Sequence, residues 1–339
     1  MKLIRTEDAV GHVLCHDMTQ IIPGVSKGPR FRKGHVVAPE DIPVLLDMGK
    51  TQLYVLELEE GMVHENDAAR RLATLCGTAN MRASEPSEGK IELTSACDGV
   101  FLVDSGRLAA VNATDEVMIA TRRGGFAVRE GDKLAGMRVI PLVVAEETLS
   151  AAEAAAGTEP LLRVVPYRLK TAAIIATGSE VASGRIEDAF TPVVEEKLAA
   201  FGISCIYRAT PGDGRDDICA AIAEARERGV DLVICTGGMS VDPDDNTPGA
   251  IKASGARIVT YGAPVLPGAM LLVGYYDDGT PVLGLPGCVM YAKATIFDLV
   301  LPRIAAGIEL CKHDLVAFGE GGLCLGCKPC TFPHCSFGR

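Results

Sequence analysis

The sequence predicts an α/β protein centred on an open, largely parallel sheet covered on both faces, with an N-terminal mixed region and a small β-rich unit before it. Three observations carry this reading. Between residues 169 and 307 the runs "TAAIIAT", "ISCIYRA", "DLVICTG", "ARIVTYG" and "PVLGLPG" alternate with helical segments or longer loops. They are almost continuously apolar, as strands buried on both faces must be. From about 90 to 146, short apolar stretches are broken by turn residues every eight to twelve positions, the spacing of an all-β unit. Finally, 339 residues, 48% of them hydrophobic, suffice for two or three cores at roughly 100 to 200 residues per domain.

In chain order, "PEDIPVLLDMG" opens with acids, carries an apolar face and ends in glycine, so a helix is expected there, followed by a strand at "TQLYVLEL". "HENDAARRLATLCG" reads as a second helix ending at Cys76 and Gly77, and "NMRASEPSEG" as a linker. The β-rich unit is expected from "KIELTSA", "GVFLVDSG", "LAAVNA", "EVMIATRRGG", "FAVREGDKLAG" and "RVIPLVV". The Ala-rich "TLSAAEAAAGTEP" reads as a short helix or a hinge. Further on, "DGRDDICAAIAEARERG" reads as a helix with Asp213 as N-cap, acids in its first turn and Gly229 just past its last. The expected division is 1–80 mixed, 90–148 β-rich, 165–310 α/β and 320–339 Cys-rich.

A net charge of -11 argues against general affinity for nucleic acid or anionic membrane. The start "MKLIRTEDAV" lacks a signal-peptide core, and no uncharged apolar run reaches the ~18 residues that span a bilayer. A cytoplasmic protein is expected. In that compartment twelve cysteines are read as reduced thiols or metal ligands rather than disulfides.

Ligands of such sheets bind outside the carboxyl ends of the strands. The candidates are therefore Thr177, Gly178, Ser179 and Glu180 after the first strand and Asp213 after the second. Gly237, Gly238, Ser240 and the Asp242/Asp244/Asp245 group follow the third, and Leu285, Pro286 and Gly287 the last. Glycines let a backbone approach an anion closely. Carboxylates beside a phosphate repel it unless a hard cation such as Mg²⁺ lies between them. Together they point to a phosphorylated ligand bound with a metal ion.

The segments "TGSEVASGRIEDAFTPVV", "PGDGRDDI", "DLVICTGGMSVDPDD" and "GLPG" occur in the order, and nearly the spacing, of one known domain. This stretch, about residues 169 to 307, resembles the molybdopterin-binding domain shared by molybdopterin molybdenumtransferases, gephyrin and molybdopterin adenylyltransferases. The resemblance implies a three-layer α/β/α domain that binds molybdopterin or molybdenum cofactor. Glycine-rich loops would cradle the phosphate, and carboxylates would handle Mg²⁺ and molybdate. Glu180 matches the acid of the family's T-G-D-E loop, Asp188 that of its D-S-N turn, Asp213 its D-D loop and Asp245 the aspartate after G-G-x-S; these four are the catalytic candidates. The sequence also departs from the family. Ser179 stands where Asp is usual, Leu266 to Ala269 reads "LPGA" where the transferases carry a lysine-bearing K-P-G-K, and Cys288 replaces the Asn of "LPGNP". Upstream, "GHVLCHDM" and "RKGHVVAPEDIPVLLDMG" loosely resemble elements of the longer transferases, but their D-G-Y-A motif is absent.

This resemblance implies either molybdate insertion into adenylylated molybdopterin or a carrier that delivers the cofactor to a molybdoenzyme, in a protein expected to be a homo-oligomer. Separately, the tail "CLGCKPCTFPHC" places Cys324, Cys327, Cys330 and Cys335 in C-x2-C-x2-C-x4-C spacing. Four such thiolates suit one Zn²⁺ or an iron-sulfur cluster, and with so little core of its own the tail is expected to owe most of its order to metal.

Overall fold

The structure, a computed structural model, describes residues 2–22, 26–55, 60–240, 242 and 245–339, the side chains of Ile22, Ser26 and Glu180 excepted. The chain divides into two units, one of residues 1–97, 101–124 and 128–164, the other of 98–100, 125–127 and 165–339.

In the first unit, residues up to 55 have a small core of their own, built on Leu14, Met18, Phe31, Leu45 and Leu53. The first expected helix forms over Asp41–Asp47. The strand after it forms over Gln52–Val55, and the rest of "TQLYVLEL" lies outside the described residues. The second helix, Glu65–Cys76, ends as expected at Gly77, whose φ of +86° suits glycine. Its buried residues Ala68, Leu72 and Cys76 share one core with Ile91, Phe101, Ile119, Met137 and Leu149. The boundary expected between residues 80 and 90 is thus not a boundary, because the apolar face of this helix is covered by the strands that follow it.

Two further expectations are corrected in this unit, and one left open is decided. Within the supposed linker, Met81–Ala83 is a strand paired antiparallel with Ile91–Ser95. The stretch "LAAVNA" belongs to a helix, Ser105–Asn112, so the region is not all β. Asp104 starts this helix by accepting the Arg107 amide at 3.0 Å, and so short an apolar run carries no period of its own to oppose the cap. The Ala-rich tract is a helix, Glu146–Ala156, rather than a hinge.

The second unit holds a six-stranded sheet of β1 (Thr171–Ala176), β2 (Ser204–Ala209), β3 (Leu232–Thr236), β4 (Arg257–Tyr261), β5 (Leu272–Tyr275) and β6 (Pro281–Leu285). The spatial order is β2-β1-β3-β6-β5-β4. β2, β1, β3 and β6 run parallel, whereas β5 is antiparallel to both its neighbours. β5 is an element not anticipated from the sequence. The helices that cover it are α1 (Phe190–Ala199), α2 (Arg215–Glu227), α3 (Thr247–Ala253) and α4 (Ile296–Ala305), with shorter ones at Ser179–Ala182 and Lys312–Val316.

Successive strand residues point to opposite faces. Ala172, Ile174, Ile234 and Leu283 accordingly pack with Val194 and Leu198 of α1 and with Phe297, Val300 and Ile304 of α4. Ala173, Ile175, Val233 and Val282 pack with Ile218 and Ile222 of α2 and Ile251 of α3. The result is the expected three-layer α/β/α arrangement, and it explains why the inner strands β3 and β6 have no polar face.

The tail corrects a further expectation. Phe337 is only 2% exposed and sits in the same core as α4, and a Cβ on Gly338 would lie 2.4 Å from Leu299. Leu323 forms a parallel bridge to Leu266. The tail is therefore anchored by apolar packing on the α/β unit, which supplies order that was expected to come mostly from metal. Replacing Phe337 with Ala is expected to cost about 3–5 kcal/mol, measured by denaturant unfolding.

At the other end of the sheet, one carboxylate ties two strands. Asp231 accepts the amides of Lys170 and Thr171 at 2.7 and 2.9 Å and the Thr171 hydroxyl at 3.0 Å. Burial acts to raise its pKa, but these donors together outweigh burial and hold it below the ordinary value of 3.8. A depressed carboxylate stabilises the fold at neutral pH, and that contribution disappears as the pH falls through its lowered value. Asp231→Asn is expected to lose about 1–3 kcal/mol at pH 7. Thermal melts should show the difference from wild type closing under strongly acid conditions.

Candidate functional site

The carboxyl ends of β1 and β3 lie side by side, with Ala176 opposite Thr236, and β6 follows, with Leu285 opposite Thr236. The chain leaves β1 toward β2 on one side and returns to β3 on the other, so the loops after β1 and β3 diverge here, at a topological switch point. Between them opens a cleft of about 530 Å³, lined by Thr177, Gly178, Asp188, Asp213, Gly238 and Asp245 among the residues expected from the sequence.

The loop after β3 is shaped by close packing. Gly237 has φ +83°, and a Cβ there would lie 2.2 Å from the Thr177 carbonyl oxygen. At Gly238, φ is +51° and a Cβ would lie 2.9 Å from Thr247 Oγ1. The Thr177 hydroxyl is buried, 3.1 Å from both the Thr236 carbonyl and Thr247 Oγ1. The two glycines thus have a packing reason in the protein itself, beyond any approach of a ligand.

Three of the four catalytic candidates also do structural work. Asp188 accepts the amides of Phe190 and Thr191, at 2.8 and 3.1 Å, as well as the Thr191 hydroxyl, and so opens α1. Asp245 accepts the Asp242 amide at 3.1 Å. Asp213 is not the N-cap of α2: that position is Gly214, which makes no side-chain cap bond. The Asp213 carboxylate instead accepts the Ser179 amide at 2.8 Å and the Ser179 hydroxyl. Serine at position 179 therefore adds no negative charge here and supplies a donor to another carboxylate. The fourth candidate, Glu180, lies in the short helical turn Ser179–Ala182, but its side chain is outside the described set, as is Asp244.

Other expected residues do not line the cleft. Ser179 faces Asp213, and Gly237 packs on Thr177. Ser240 is exposed and offers its carbonyl to the Tyr261 hydroxyl at 3.3 Å. Pro286 and Gly287 lie at the end of β6, but it is Met290, in the 3₁₀ turn Gly287–Met290, that reaches the cleft.

Several lining residues were missed by the sequence reading. Val181, Ile186, Phe190 and Met290 give the cleft an apolar side, with Ile186 58% and Met290 40% exposed, and Glu187 adds a further acid. An isoleucine stranded in the polar run "SGRIED" was the available signal. Tyr261, on β4, was also missed; it donates to the Met239 carbonyl at 2.9 Å and so holds the glycine loop from the far side. Burial, and after it the charge of Asp245, push its hydroxyl pKa up, which keeps it a donor.

Chemically the cleft pairs an apolar side with the carboxylates of Glu187, Asp188, Asp213, Asp242 and Asp245, and no lysine or arginine is among its described lining residues. Among the described residues no group of three or more His, Cys, Asp or Glu is placed to hold a metal ion. Mg²⁺ needs no such set, since it is usually held by one or two carboxylates together with ligand phosphates and water. The hard oxygen donors present fit that mode.

The tail cysteines are gathered elsewhere. Cys324, Cys327, Cys330 and Cys335 border a separate cavity of about 30 Å³ with Leu325, Phe332 and Phe337.

A ligand cleft at the switch point of a three-layer, mostly parallel sheet defines the second unit as a binding domain of the doubly wound α/β class. Its residues 173–306 match the family described as "Probable molybdopterin binding domain", and this segment is a domain of that family. Residues 3–57 match a domain of unknown function, DUF8806. Over 152 residues the chain is 32% identical to the molybdenum cofactor synthesis protein cinnamon of Drosophila melanogaster, covering 42% of this chain and 25% of that protein. It is 36% identical over 76 residues to a CinA-like protein of Mycobacterium avium, covering 22% and 18%. The chain thus spans a quarter or less of the length of these relatives. Among solved structures, the molybdopterin biosynthesis Mog protein of Mycobacterium ulcerans is 26% identical, with 40% of this chain and 94% of that one covered and a TM-score of 0.34.

Gly237→Ala is expected to displace the glycine loop, because its Cβ meets a backbone oxygen that has nowhere to go. A loss of about 1–3 kcal/mol in unfolding stability, with backbone chemical-shift changes at Thr177 and Thr247, is the expected result.

Proposed function

We propose that the cleft binds molybdopterin, or its adenylylated form, together with Mg²⁺, and that the protein acts in molybdenum cofactor biosynthesis. The observation that carries this reading is the convergence at one sheet edge of an apolar surface, a glycine-bounded loop and five carboxylates with no countercharge among the described lining residues. A fused, flat pterin suits the side formed by Val181, Ile186, Phe190 and Met290. The phosphate falls on the acidic side, where Mg²⁺ supplies the positive charge that the side chains do not. The family match over residues 173–306 supports the ligand class.

Within this reading, Asp245 and Asp213 each keep one oxygen for a hydrogen bond inside the protein, leaving the other for the cation. Molybdate insertion would then rest on positioning and charge neutralisation rather than on covalent chemistry by the protein. The second reading is a carrier that holds the cofactor for a molybdoenzyme. It is favoured by the segment Leu266 to Ala269, which lacks lysine and is tied to the tail through Leu266 N to Gly322 O and Cys324 N to Leu266 O, both 2.8 Å. Molybdate-dependent turnover of adenylylated molybdopterin would favour the enzyme, and tight retention without turnover the carrier.

The binding proposal is tested by titrating the full chain with molybdopterin, with and without Mg²⁺. Binding should need Mg²⁺ and be lost on chelation. Asp245→Asn keeps the acceptor for Asp242 but removes the charge, and it should weaken Mg²⁺-dependent binding about tenfold, or 1.4 kcal/mol, with melting unchanged. Unaltered affinity in this variant, or equal binding in a chelator, would refute the proposed role of the acids.

A further inference from the structure

The tail cysteines lie apart from the pterin cleft, and the cleft chemistry makes no use of them. We propose that Cys324, Cys327, Cys330 and Cys335 form a tetrathiolate site for a single soft divalent cation of the Zn²⁺ type. This proposal is independent of the ligand assigned to the cleft.

All four cysteines border one small cavity, whose remaining lining includes the apolar Ala294, Leu325, Phe332 and Phe337. None of the four is in a disulfide. The cavity is built on fixed supports. Phe337 is 2% exposed in the core of the α/β unit, and Cys324, Phe332 and Cys335 pack against that core. Cys324 is further held through its amide, 2.8 Å from the Leu266 carbonyl.

The two ends of the tail loop are pinned together. Gly338 donates to the Gly321 carbonyl at 2.9 Å, and Gly321 has φ +83° with the Arg339 carbonyl oxygen 2.1 Å from where a Cβ would be. Two half-buried thiols therefore sit on a rigid base, while Cys327 and Cys330 are exposed on the intervening loop. No three of these groups already stand as a ligand set. Closing the site requires the two exposed side chains to turn inward over the cavity, with the pinned ends unmoved.

A void needs on the order of 10–15 Å³ to hold one water, and the volume here, about 30 Å³, has room for one ion. Four thiolates and no hard oxygen donor select a soft cation over Mg²⁺ or Ca²⁺. His334, whose amide is committed to the Thr331 carbonyl at 2.7 Å, is not among the residues bordering the cavity. Because the thiols must lose protons to bind, affinity should fall as the solution is acidified.

The test uses the full chain, purified anaerobically under reducing conditions, analysed for metal, stripped with a chelator and titrated with Co²⁺ and then Zn²⁺. One equivalent of Co²⁺ should produce the visible absorption of a tetrahedral tetrathiolate, and Zn²⁺ should displace it. Cys327→Ser and Cys330→Ser alter exposed positions, so melting should change little. Each should lose the thiolate charge-transfer band in proportion and weaken Zn²⁺ binding by at least about 100-fold. Four thiols that titrate freely at saturating Zn²⁺, or disulfides persisting in the reduced preparation, would overturn the site. Bound iron with acid-labile sulfide would overturn the assignment to a single ion.

Discussion

The approach of the glycine loop to Thr177 organises the ligand-binding end of the α/β unit. The Thr177 hydroxyl is buried between the Thr236 carbonyl and Thr247 Oγ1, and the chain at Gly237 comes so close to the Thr177 carbonyl that no Cβ fits between them. A buried hydroxyl left unpaired costs about 1–3 kcal/mol, so this contact is kept or the loop is lost. Through it the ends of β1 and β3 are held at a fixed separation. Asn246, one residue before Thr247, reaches the Asp213 carbonyl at 3.0 Å and brings the loop after β2 into the same frame.

The acids of the cleft carry two kinds of work at once. Asp188 opens a helix, Asp245 closes its own turn and Asp213 receives Ser179, each with donors from the protein. Such bonds orient a carboxylate and partly neutralise it; at Asp188 they engage both oxygens, whereas at Asp213 and Asp245 they engage one and leave the second for a ligand or cation. Ser179 fits this pattern: an acid there would face Asp213, whereas serine donates to it and connects the two loops without adding a negative charge.

The tail shows how a segment can be ordered by packing while its chemistry remains open. Phe337 enters the core beside Leu299, and Leu323 pairs with Leu266, so the tail and the segment Leu266 to Ala269 are held together. The anchor is hydrophobic, and the thiols lie between the anchored ends. A cation bound there would stiffen a loop that already has its place.

The sequence by itself determined the β/α alternation of residues 169–307, the parallel strands and the loops at their carboxyl ends, because continuous apolar runs and helix-ending glycines are local signals. It also marked Thr177, Gly178, Asp188, Asp213, Gly238 and Asp245, which line one cleft. Tertiary structure decided what local signals leave open. It packed Val111 of the helix that "LAAVNA" forms into the core of the first unit and added β5 as an antiparallel strand within the sheet. It moved Asp213 from a helix cap to Ser179, and it brought Ile186 and Met290, 104 residues apart (290 − 186), to one cleft. The physical reason is the same in each case: a short apolar or polar segment is compatible with several partners, and only the surfaces packed against it in three dimensions choose among them.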